Sequence, residues 1–258
     1  MSELEQAAAA LLRAERERAP IAPLTETLRG VTVEDAYAIQ RAGRALRLAD
    51  GARRVVGRKV GLTSRAMQEL LGVKQPDFGY LLDDMLILDG EEVSGDRFIA
   101  PRVEAEIAFL IARPLEGRGL TIDDVLAATE AVAPALELVD SRIADWRIAI
   151  EDTIADNASS GAAVIGAWRP LADVGELTAL EVTMRVGEQV VDGRGDAVLG
   201  HPAAPIAWLA AALARHGERI EPGEVVIPGS VVTALPLAPG DAAHAACPAL
   251  GEVEVRLT

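Results

Sequence analysis

The placement of glutamate in two apolar segments constrains the fold of this chain more than any other feature. Glu104 and Glu106 lie within residues 98–112, and Glu137 lies between two leucines within residues 133–139. Both segments have the composition of buried strands, and a buried carboxylate is costly unless it is paired or ligates a metal. We therefore expect a cationic group to face these glutamates.

The spacing of Glu104 and Glu106 suits two ligands of one cation. Residues two apart in a strand share a face and lie about 7 Å apart along the backbone. A set of carboxylates alone favours Mg²⁺, Mn²⁺ or Ca²⁺ over zinc and leaves coordination positions open for water and substrate. The alternative is a solvent-exposed strand face, where this spacing is also common, but the leucines around Glu137 favour the metal site.

Composition limits the partners of the chain. The 258 residues, of which 50% are hydrophobic, suffice for a packed core in one large domain, or in a main domain with a smaller partner. A net charge of −15 argues against a nucleic-acid partner and against binding to anionic membranes. The single cysteine, Cys247, excludes an intramolecular disulfide and a cysteine-based zinc cluster.

No segment of the sequence reads as a membrane span or a secretion signal. The chain begins Met-Ser-Glu-Leu-Glu without a basic region, and its longest apolar stretch, near residues 203–214, is too short to cross a bilayer. We therefore expect a cytoplasmic protein without a membrane partner.

The periodicity of the chain predicts an α+β fold with a β-rich core. Helices are expected at residues 2–18, 33–49 with Thr32 as N-cap, 64–71, 122–132 with Thr121 as cap, and 203–215 closed by Gly217. Strands are expected at residues 54–61, 98–112, 133–139, 161–167, 178–187, 223–229, 231–237 and 251–257, with a turn at 76–79. The division is a mainly helical N-terminal region, 1–80, and a β-rich catalytic domain, 81–258.

Two further features could carry chemistry. Lys59 is flanked by Gly57 and Gly61, which would share its strand face and leave space for a ligand or another backbone, although an exposed lysine on an edge strand is the alternative. The segment 156–161, Asp-Asn-Ala-Ser-Ser-Gly, reads as a turn or as a loop that presents hydroxyl and amide groups to a ligand. The three histidines lack metal-ligand spacing, and a Ser-His-Asp hydrolase is not indicated.

Several segments in the same order resemble one family. They are residues 55–64, 72–79, 101–109, 136–143, 155–160 and 198–202. Together they resemble the 2-keto-4-pentenoate hydratases of the fumarylacetoacetate hydrolase superfamily, from about residue 20 to the C terminus. The resemblance implies a β-rich roll with a small N-terminal domain, assembled as a dimer or a ring of dimers. It also implies Mg²⁺ or Mn²⁺ held by Glu104, Glu106 and Glu137, and a substrate pocket lined by Lys59, Asp77 and Ser159.

The implied reaction adds water to 2-hydroxypenta-2,4-dienoate and gives 4-hydroxy-2-oxopentanoate, in meta-cleavage catabolism of aromatic or steroid compounds. The substrate is a small anionic 2-oxo acid, and Lys59 would bind its carboxylate or shuttle protons while Asp77 and Ser159 orient water and substrate. The alternatives are 4-oxalocrotonate decarboxylase, a hydratase for 2-oxohept-3-enedioate, and a non-catalytic metal-binding scaffold. Association with an aldolase or decarboxylase of the same route is a further possibility that the resemblance raises.

Overall fold

The computed structural model describes residues 1–64, 68–69 and 72–258. The helix predicted for residues 64–71 falls largely outside these described residues. Two of the predicted helices begin at the capping residues that the sequence indicates. Thr32 Oγ1 accepts a hydrogen bond from the Asp35 N–H, while the Asp35 carboxylate accepts one from the Thr32 N–H. Thr121 forms the same capping box with Asp124. Both predicted N-caps are therefore confirmed.

The helices in the described part of the chain are α1 (Glu3–Glu17), α2 (Leu24–Thr27), α3 (Val33–Leu48), α4 (Ile122–Ala128), α5 (Ile150–Ala155) and α6 (Ala204–Ala214). The first strands are β1 (Val55–Gly61), β2 (Asp77–Leu82), β3 (Leu86–Ile87), β4 (Glu92–Val93), β5 (Arg102–Ile111), β6 (Thr129–Val139) and β7 (Ser160–Ile165). The remaining strands are β8 (Arg169–Pro170), β9 (Glu181–Val186), β10 (Gln189–Arg194), β11 (Val225–Ile227), β12 (Leu235–Pro236), β13 (Ala242–Cys247) and β14 (Gly251–Leu257).

Two mixed sheets organise these strands. Within the residues described, nine strands form one sheet in the order β2-β1-β11-β5-β6-β7-β3, with β12 beside β5 and β8 beside β6. Five strands form the other in the order β10-β9-β13-β14-β4. Most pairs are antiparallel, but β1 and β11, β3 and β7, and β4 and β14 run parallel. The predicted α+β fold with a mixed β core is thus confirmed.

Three predicted elements differ from the structure. Residues 77–82 form the fully buried strand β2, antiparallel to β1, where the sequence predicted a turn at 76–79. The helix predicted to reach residue 132 ends at Ala128, because Thr129 takes the extended conformation that begins β6. Only Leu235–Pro236 of the segment 231–237 is a strand. In each case pairing within the sheet, which local sequence does not encode, decides the outcome.

The faces of β5 explain how a buried strand carries acidic residues. Val103, Ala105 and Ile107 point into the main core, where β13 and β14 of the smaller sheet pack against β6. Glu104 and Glu106 point to the opposite face. The acidic side chains therefore avoid the main apolar core. No helix among the described residues is both long enough and apolar enough to cross a lipid bilayer.

The N-terminal region shares a sheet with the rest of the chain. Strands β1 and β2 join the larger sheet through the parallel pairing of β1 with β11, so a division at residue 80 falls inside β2. A separate N-terminal unit, if present, comprises only the helices that precede β1. The boundary at residues 80 and 81 stays a prediction about independent folding.

Candidate functional site

The three glutamates converge on one face of the larger sheet. Glu104 of β5 is the direct register partner of Glu137 on β6, and Glu106 lies two residues further along β5. One carboxylate oxygen from each of the three lies within 4.8 Å of the other two. The pairing of two adjacent antiparallel strands thus builds the cluster, because residues that face each other across a ladder project to the same side.

The buried carboxylates have fewer hydrogen-bond donors than they have oxygen atoms to satisfy. Glu106 is 1% exposed, and its Oε2 accepts a hydrogen bond from the Gly229 backbone N–H at 2.6 Å. Glu106 Oε1 and both oxygens of Glu137 are buried and accept no hydrogen bond. A buried carboxylate oxygen without a donor is costly, and a divalent cation held by one oxygen from each glutamate would offset part of this cost. The donor set, three carboxylates and no sulfur or nitrogen, fits a hard cation.

The raised pKa values of the three glutamates also support a cation site. Burial, and then the neighbouring charge of Glu137, raise the pKa of Glu104 to about 7. The same two causes, together with Glu104, raise the pKa of Glu106 well above its ordinary value. Burial also raises the pKa of Glu137, although Lys59 opposes this effect. Without a cation, each of the three groups therefore binds a proton more readily than an ordinary glutamate, and a bound metal would displace such a proton.

Lys59 of β1 supplies one positive charge. Its Nζ lies 3.3 Å from Glu137 Oε1 and donates a hydrogen bond to the Ala158 carbonyl oxygen at 2.9 Å. Burial lowers the pKa of Lys59, but the carboxylates around it, Glu137 first, outweigh burial and raise the pKa to about 12. Lys59 is therefore an ammonium ion at neutral pH. Among the described residues, no other lysine or arginine pairs with the three glutamates within 4 Å, so the cluster retains negative charge.

Asp77 opens β2 and lies beside Lys59. It pairs in register with Gly61 of β1, and a Cβ atom at Gly61 would come within 2.3 Å of Asp77 Oδ1 and 3.3 Å of Lys59 Nζ. The space expected above Gly61 is therefore taken by the Asp77 carboxylate, while the Val225 backbone approaches Gly57. Asp77 Oδ2 accepts a hydrogen bond from Thr153 Oγ1 at 3.3 Å, whereas its buried Oδ1 has no partner. Burial raises the pKa of Asp77, and the charge of Lys59 opposes this effect.

Ser159 lies in a loop with unusual backbone geometry. Asn157, Ala158 and Ser159 have φ angles of 57°, 53° and 53°, in the left-handed region that costs non-glycine residues energy. Ser159 is buried, and its Oγ lies 3.3 Å from Thr153 Oγ1. This conformation also aims the Ala158 carbonyl oxygen at Lys59. The loop predicted from residues 156–161 thus contributes both a hydroxyl and a backbone oxygen.

A buried ion pair holds this loop in place. Arg142 Nε donates to Asp156 Oδ1 at 2.5 Å, and its Nη1 donates to the Ser160 carbonyl oxygen at 3.1 Å. The Asn157 side chain accepts from the Tyr80 N–H at 2.9 Å and donates to the Tyr80 carbonyl oxygen at 3.0 Å. Sequence reasoning missed Arg142 and Thr153 as parts of the site. Both residues follow other polar residues, so they give no local signal, and their contacts form only when the chain folds.

Comparison with known proteins gives a consistent family. Residues 52–258 match the family model described as fumarylacetoacetate (FAA) hydrolase C-terminal. The chain is 45% identical to 2-hydroxyhexa-2,4-dienoate hydratase of Comamonas testosteroni over 96% of this chain and 95% of that protein. It is 44% identical to 2-keto-4-pentenoate hydratase of Paraburkholderia xenovorans over 92% of this chain and 88% of that protein.

A solved structure is also similar over nearly the whole chain. It is the 4-oxalocrotonate decarboxylase from Pseudomonas putida G7 complexed with magnesium and adipate. The TM-score is 0.95, with 35% sequence identity and coverage of 99% of this chain and 97% of that chain. A second structure of that enzyme, complexed with calcium and acetate, has a TM-score of 0.93.

Proposed function

The chain belongs to the fumarylacetoacetate hydrolase family, and from that premise we propose that it is a metal-dependent hydratase. It adds water to 2-hydroxypenta-2,4-dienoate, also called 2-keto-4-pentenoate, and forms 4-hydroxy-2-oxopentanoate. The relatives at 44–45% identity that are named as hydratases of short 2-oxo or 2-hydroxydienoic acids support this reaction. The observation that carries it is the buried cluster of three glutamates beside one lysine and one aspartate.

Glu104, Glu106 and Glu137 would hold one Mg²⁺ or Mn²⁺ ion, which supplies Lewis-acid polarisation of the 2-oxygen of the substrate. The oxygen-only donor set supports either of these two metals. The magnesium in the similar decarboxylase supports the choice of Mg²⁺.

The side chains around the cluster account for binding and for proton movement. The Lys59 ammonium binds the carboxylate of the substrate, because it carries a positive charge at the buried end of the site. Asp77 moves a proton at its free Oδ1, which is buried and accepts no hydrogen bond from the protein. Ser159 orients the attacking water or the substrate through its hydroxyl group.

The proton balance of the reaction is simple. The dienol loses its 2-hydroxyl proton and gains a proton at C5, which gives 2-oxopent-3-enoate. Water then adds its oxygen to C4, and C3 gains a proton. One acid–base group that serves both steps satisfies this balance, and Asp77 is the group with a free oxygen.

The test follows the ultraviolet absorbance of freshly generated 2-hydroxypenta-2,4-dienoate with metal-stripped protein, and then with Mg²⁺ or Mn²⁺ restored. The proposal expects loss of absorbance only with metal, and mass spectrometry of the product should show the addition of one water. A folded, metal-loaded protein without turnover would overturn the proposal.

Decarboxylation of 4-oxalocrotonate is the second candidate, and the TM-score of 0.95 to a structure of that enzyme favours it specifically. Both reactions use a 2-oxo acid bound at the same cluster, and they differ in product. Release of CO₂ from 4-oxalocrotonate by a protein that leaves the dienoate unchanged would support the decarboxylase.

A hydratase for the dicarboxylate 2-oxohept-3-enedioate would need a second cation for the distal carboxylate. Arg102 lies on the same face of β5 as Glu104 and is exposed to solvent, so it is the side chain that would serve this purpose. Comparison of kcat/KM for the five-carbon dienoate and the seven-carbon dicarboxylate distinguishes these two substrates.

The setting of the enzyme is also part of the proposal. We expect a homo-oligomer, a dimer or a ring of dimers, that works in the cytoplasm in meta-cleavage catabolism, with an aldolase or decarboxylase as its possible partner. The net charge of −15 supports the absence of nucleic-acid partners. Sedimentation equilibrium of the purified protein measures the oligomeric state directly.

A further inference from the structure

Thr153 connects two residues of the site that come from different parts of the chain. It lies on the short helix α5 and is 5% exposed. Its Oγ1 lies 3.3 Å from Asp77 Oδ2 and 3.3 Å from Ser159 Oγ. A threonine hydroxyl within a helix often bonds to the carbonyl oxygen one turn earlier, but the Thr153 hydroxyl bonds to side chains outside its helix.

The number of available protons sets the direction of the hydrogen bonds among Asp77, Thr153 and Ser159. A threonine hydroxyl has one proton to donate and two lone pairs that can accept. Thr153 donates its proton to Asp77 Oδ2, so its oxygen is left to accept the proton of Ser159. The Ser159 hydroxyl therefore donates towards Thr153, and the lone pairs of its oxygen stay available to a ligand.

The side chain of Gln40 fixes the separation between Thr153 and Asp77. The buried Gln40 side chain on α3 donates from Nε2 to the Phe78 carbonyl oxygen at 2.8 Å and to the Ile154 carbonyl oxygen at 2.9 Å. Phe78 follows Asp77, and Ile154 follows Thr153, so one amide group ties both segments together. This arrangement keeps the Thr153 hydroxyl within reach of Asp77.

We propose that Thr153 is a positioning residue for the hydration reaction. Its hydroxyl holds Asp77 and Ser159 in one hydrogen-bonded chain, and it thereby sets which proton and which lone pairs each residue presents to the substrate. The inference rests on the proposed function, because it concerns the same site. The 3.3 Å separations exceed the usual O–H···O distance, and hydrogen bonds of this kind commonly shorten when substrate binds.

The consequence of losing this hydroxyl follows from the partners that remain. Asp77 Oδ1 already accepts no hydrogen bond, so removal of the Thr153 hydroxyl leaves the buried Asp77 side chain without its side-chain donor. Ser159 loses its acceptor and is free to rotate. The hydroxyl of Thr153 bonds to Asp77 and Ser159 and, among the residues described, to none of the three glutamates, so their affinity for a cation should not change.

The test compares Thr153→Val, which keeps the shape but removes the hydroxyl, with Thr153→Ser, which keeps the hydroxyl. Thr129→Val is the matched control, because Thr129 opens β6 far from Glu137 and its hydroxyl donates to the Val125 carbonyl oxygen on α4. Each variant is assayed for hydration of the dienoate. Each is also assayed by NMR for deuterium exchange at C3 of 2-oxopentanoate, a saturated acid that can enolise but cannot be hydrated. Melting temperature and Mn²⁺ affinity are measured in parallel.

Thr153→Val should lower kcat by roughly 10- to 100-fold, the range for one or two lost positioning hydrogen bonds, with KM changed less than about threefold. The exchange rate should fall by a similar factor, whereas Thr153→Ser and Thr129→Val should stay within about threefold of wild type. Mn²⁺ affinity should be unchanged in all three variants.

Two results would overturn the inference. One is a folded Thr153→Val protein with the kcat and exchange rate of wild type, and the other is a Thr153→Ser protein as impaired as Thr153→Val. If wild type exchanges the C3 protons but does not hydrate the dienoate, the proposed function fails, and the exchange rates of the variants still decide the role of Thr153. A wild-type protein that does neither overturns both.

Discussion

Glu106 combines deep burial with a carboxylate oxygen that has no donor, so its ionised form carries a cost that a bound cation would offset. Replacement by glutamine keeps the shape and an acceptor for the Gly229 N–H but removes the charge. We predict that Glu106→Gln lowers hydratase turnover at least about 100-fold, because a metal ligand is lost. The metal-free variant should unfold at a higher temperature than metal-free wild type, because a repelled buried carboxyl group is gone.

Glu130→Gln is the control for this change, because Glu130 is an exposed glutamate on the same strand as Glu137. Thermal unfolding with and without Mg²⁺, together with dienoate turnover, measures both effects. Full activity in folded Glu106→Gln would remove Glu106 from the site. If metal-free Glu106→Gln is less stable than metal-free wild type, the Glu106 carboxylate stabilises the fold without a metal, which contradicts this account.

The raised pKa values of the same glutamates predict a pH dependence. The folded metal-free protein holds protons more tightly than the unfolded chain, so its stability should fall as pH rises from the ordinary glutamate pKa of 4.5 to the Glu104 pKa of about 7. A metal ion must displace these protons. Its affinity should therefore rise as pH increases through about 7, the pKa of Glu104.

Calorimetry in two buffers of different ionisation enthalpy counts the protons that Mg²⁺ releases. Release should be larger near about pH 6 than near about pH 8, because Glu104, with a pKa of about 7, loses its proton between these values. Equal release at both values would contradict the raised pKa values of the cluster.

Some residues of the site could be predicted from the sequence, and others could not. Strand periodicity predicts the shared face of Glu104 and Glu106, and the leucines around Glu137 predict its burial, whereas the place of Lys59 beside them was predicted from the family resemblance. Thr153 and Gln40 could not, because their partners lie on other elements and only the folded chain brings them within hydrogen-bond distance.

Among the elements, the long strands were the most predictable. β5 and β6 consist of extended apolar runs, and their predicted positions agree with the structure to within a few residues. The short strands β3, β4 and β8, and also β10 and β13, were not predicted, because two to six residues of mixed polarity give little periodic signal. β2 was missed because Pro76 and Gly79 suggest a turn, whereas pairing with β1 imposes a strand.

Helix α3 acts on the site through one amide group. Gln40→Leu would leave the buried carbonyl oxygens of Phe78 and Ile154 without donors. We predict a fall in the free energy of unfolding of about 2–4 kcal/mol, together with a lower kcat, because Asp77 and Thr153 lose their fixed spacing. Denaturant unfolding measures the first effect. Gln6→Leu, an exposed position on α1, is the control, and equal stability of the two variants would contradict the role of Gln40.

Strand β5 shows which end of the glutamate cluster is open to solvent. Along its acidic face, Arg102 is exposed, Glu104 is partly exposed and Glu106 is buried, so the site opens at the Arg102 end. The Arg102 guanidinium lies 4.9 Å from the centre of the Trp146 ring, and its charge partly opposes the burial that raises the pKa of Glu104. This cation at the entrance should attract an anionic substrate to an otherwise acidic protein.

We predict that Arg102→Gln lowers kcat/KM for the dienoate about three- to tenfold, mainly through KM, and that the loss diminishes at high salt. Arg185→Gln, an exposed arginine on the smaller sheet, should have no such effect. Steady-state kinetics at two ionic strengths checks the prediction. A loss in kcat alone would assign Arg102 to the chemical step instead of to substrate capture.

For the whole molecule, the sequence predicts the fold class but not how its parts share the site. Lys59 and Asp77 come from strands near the N terminus, the three glutamates from the middle of the larger sheet, and Ser159 from the loop before β7. The parallel pairing of β1 with β11 joins these regions, and such non-local pairing leaves no local trace in the sequence. The site therefore belongs to the sheet as a whole.

The central claim is that the glutamate cluster supports the addition of water to C4 of a five-carbon dienoate. The most direct measurement is mass spectrometry of the product formed in oxygen-18 water by metal-loaded protein, metal-free protein and Glu106→Gln. The account predicts one oxygen-18 atom at C4 of 4-hydroxy-2-oxopentanoate with the metal-loaded protein, and no product with the other two. Unchanged dienoate, or conversion only to its unhydrated keto form by the metal-loaded protein, would contradict it.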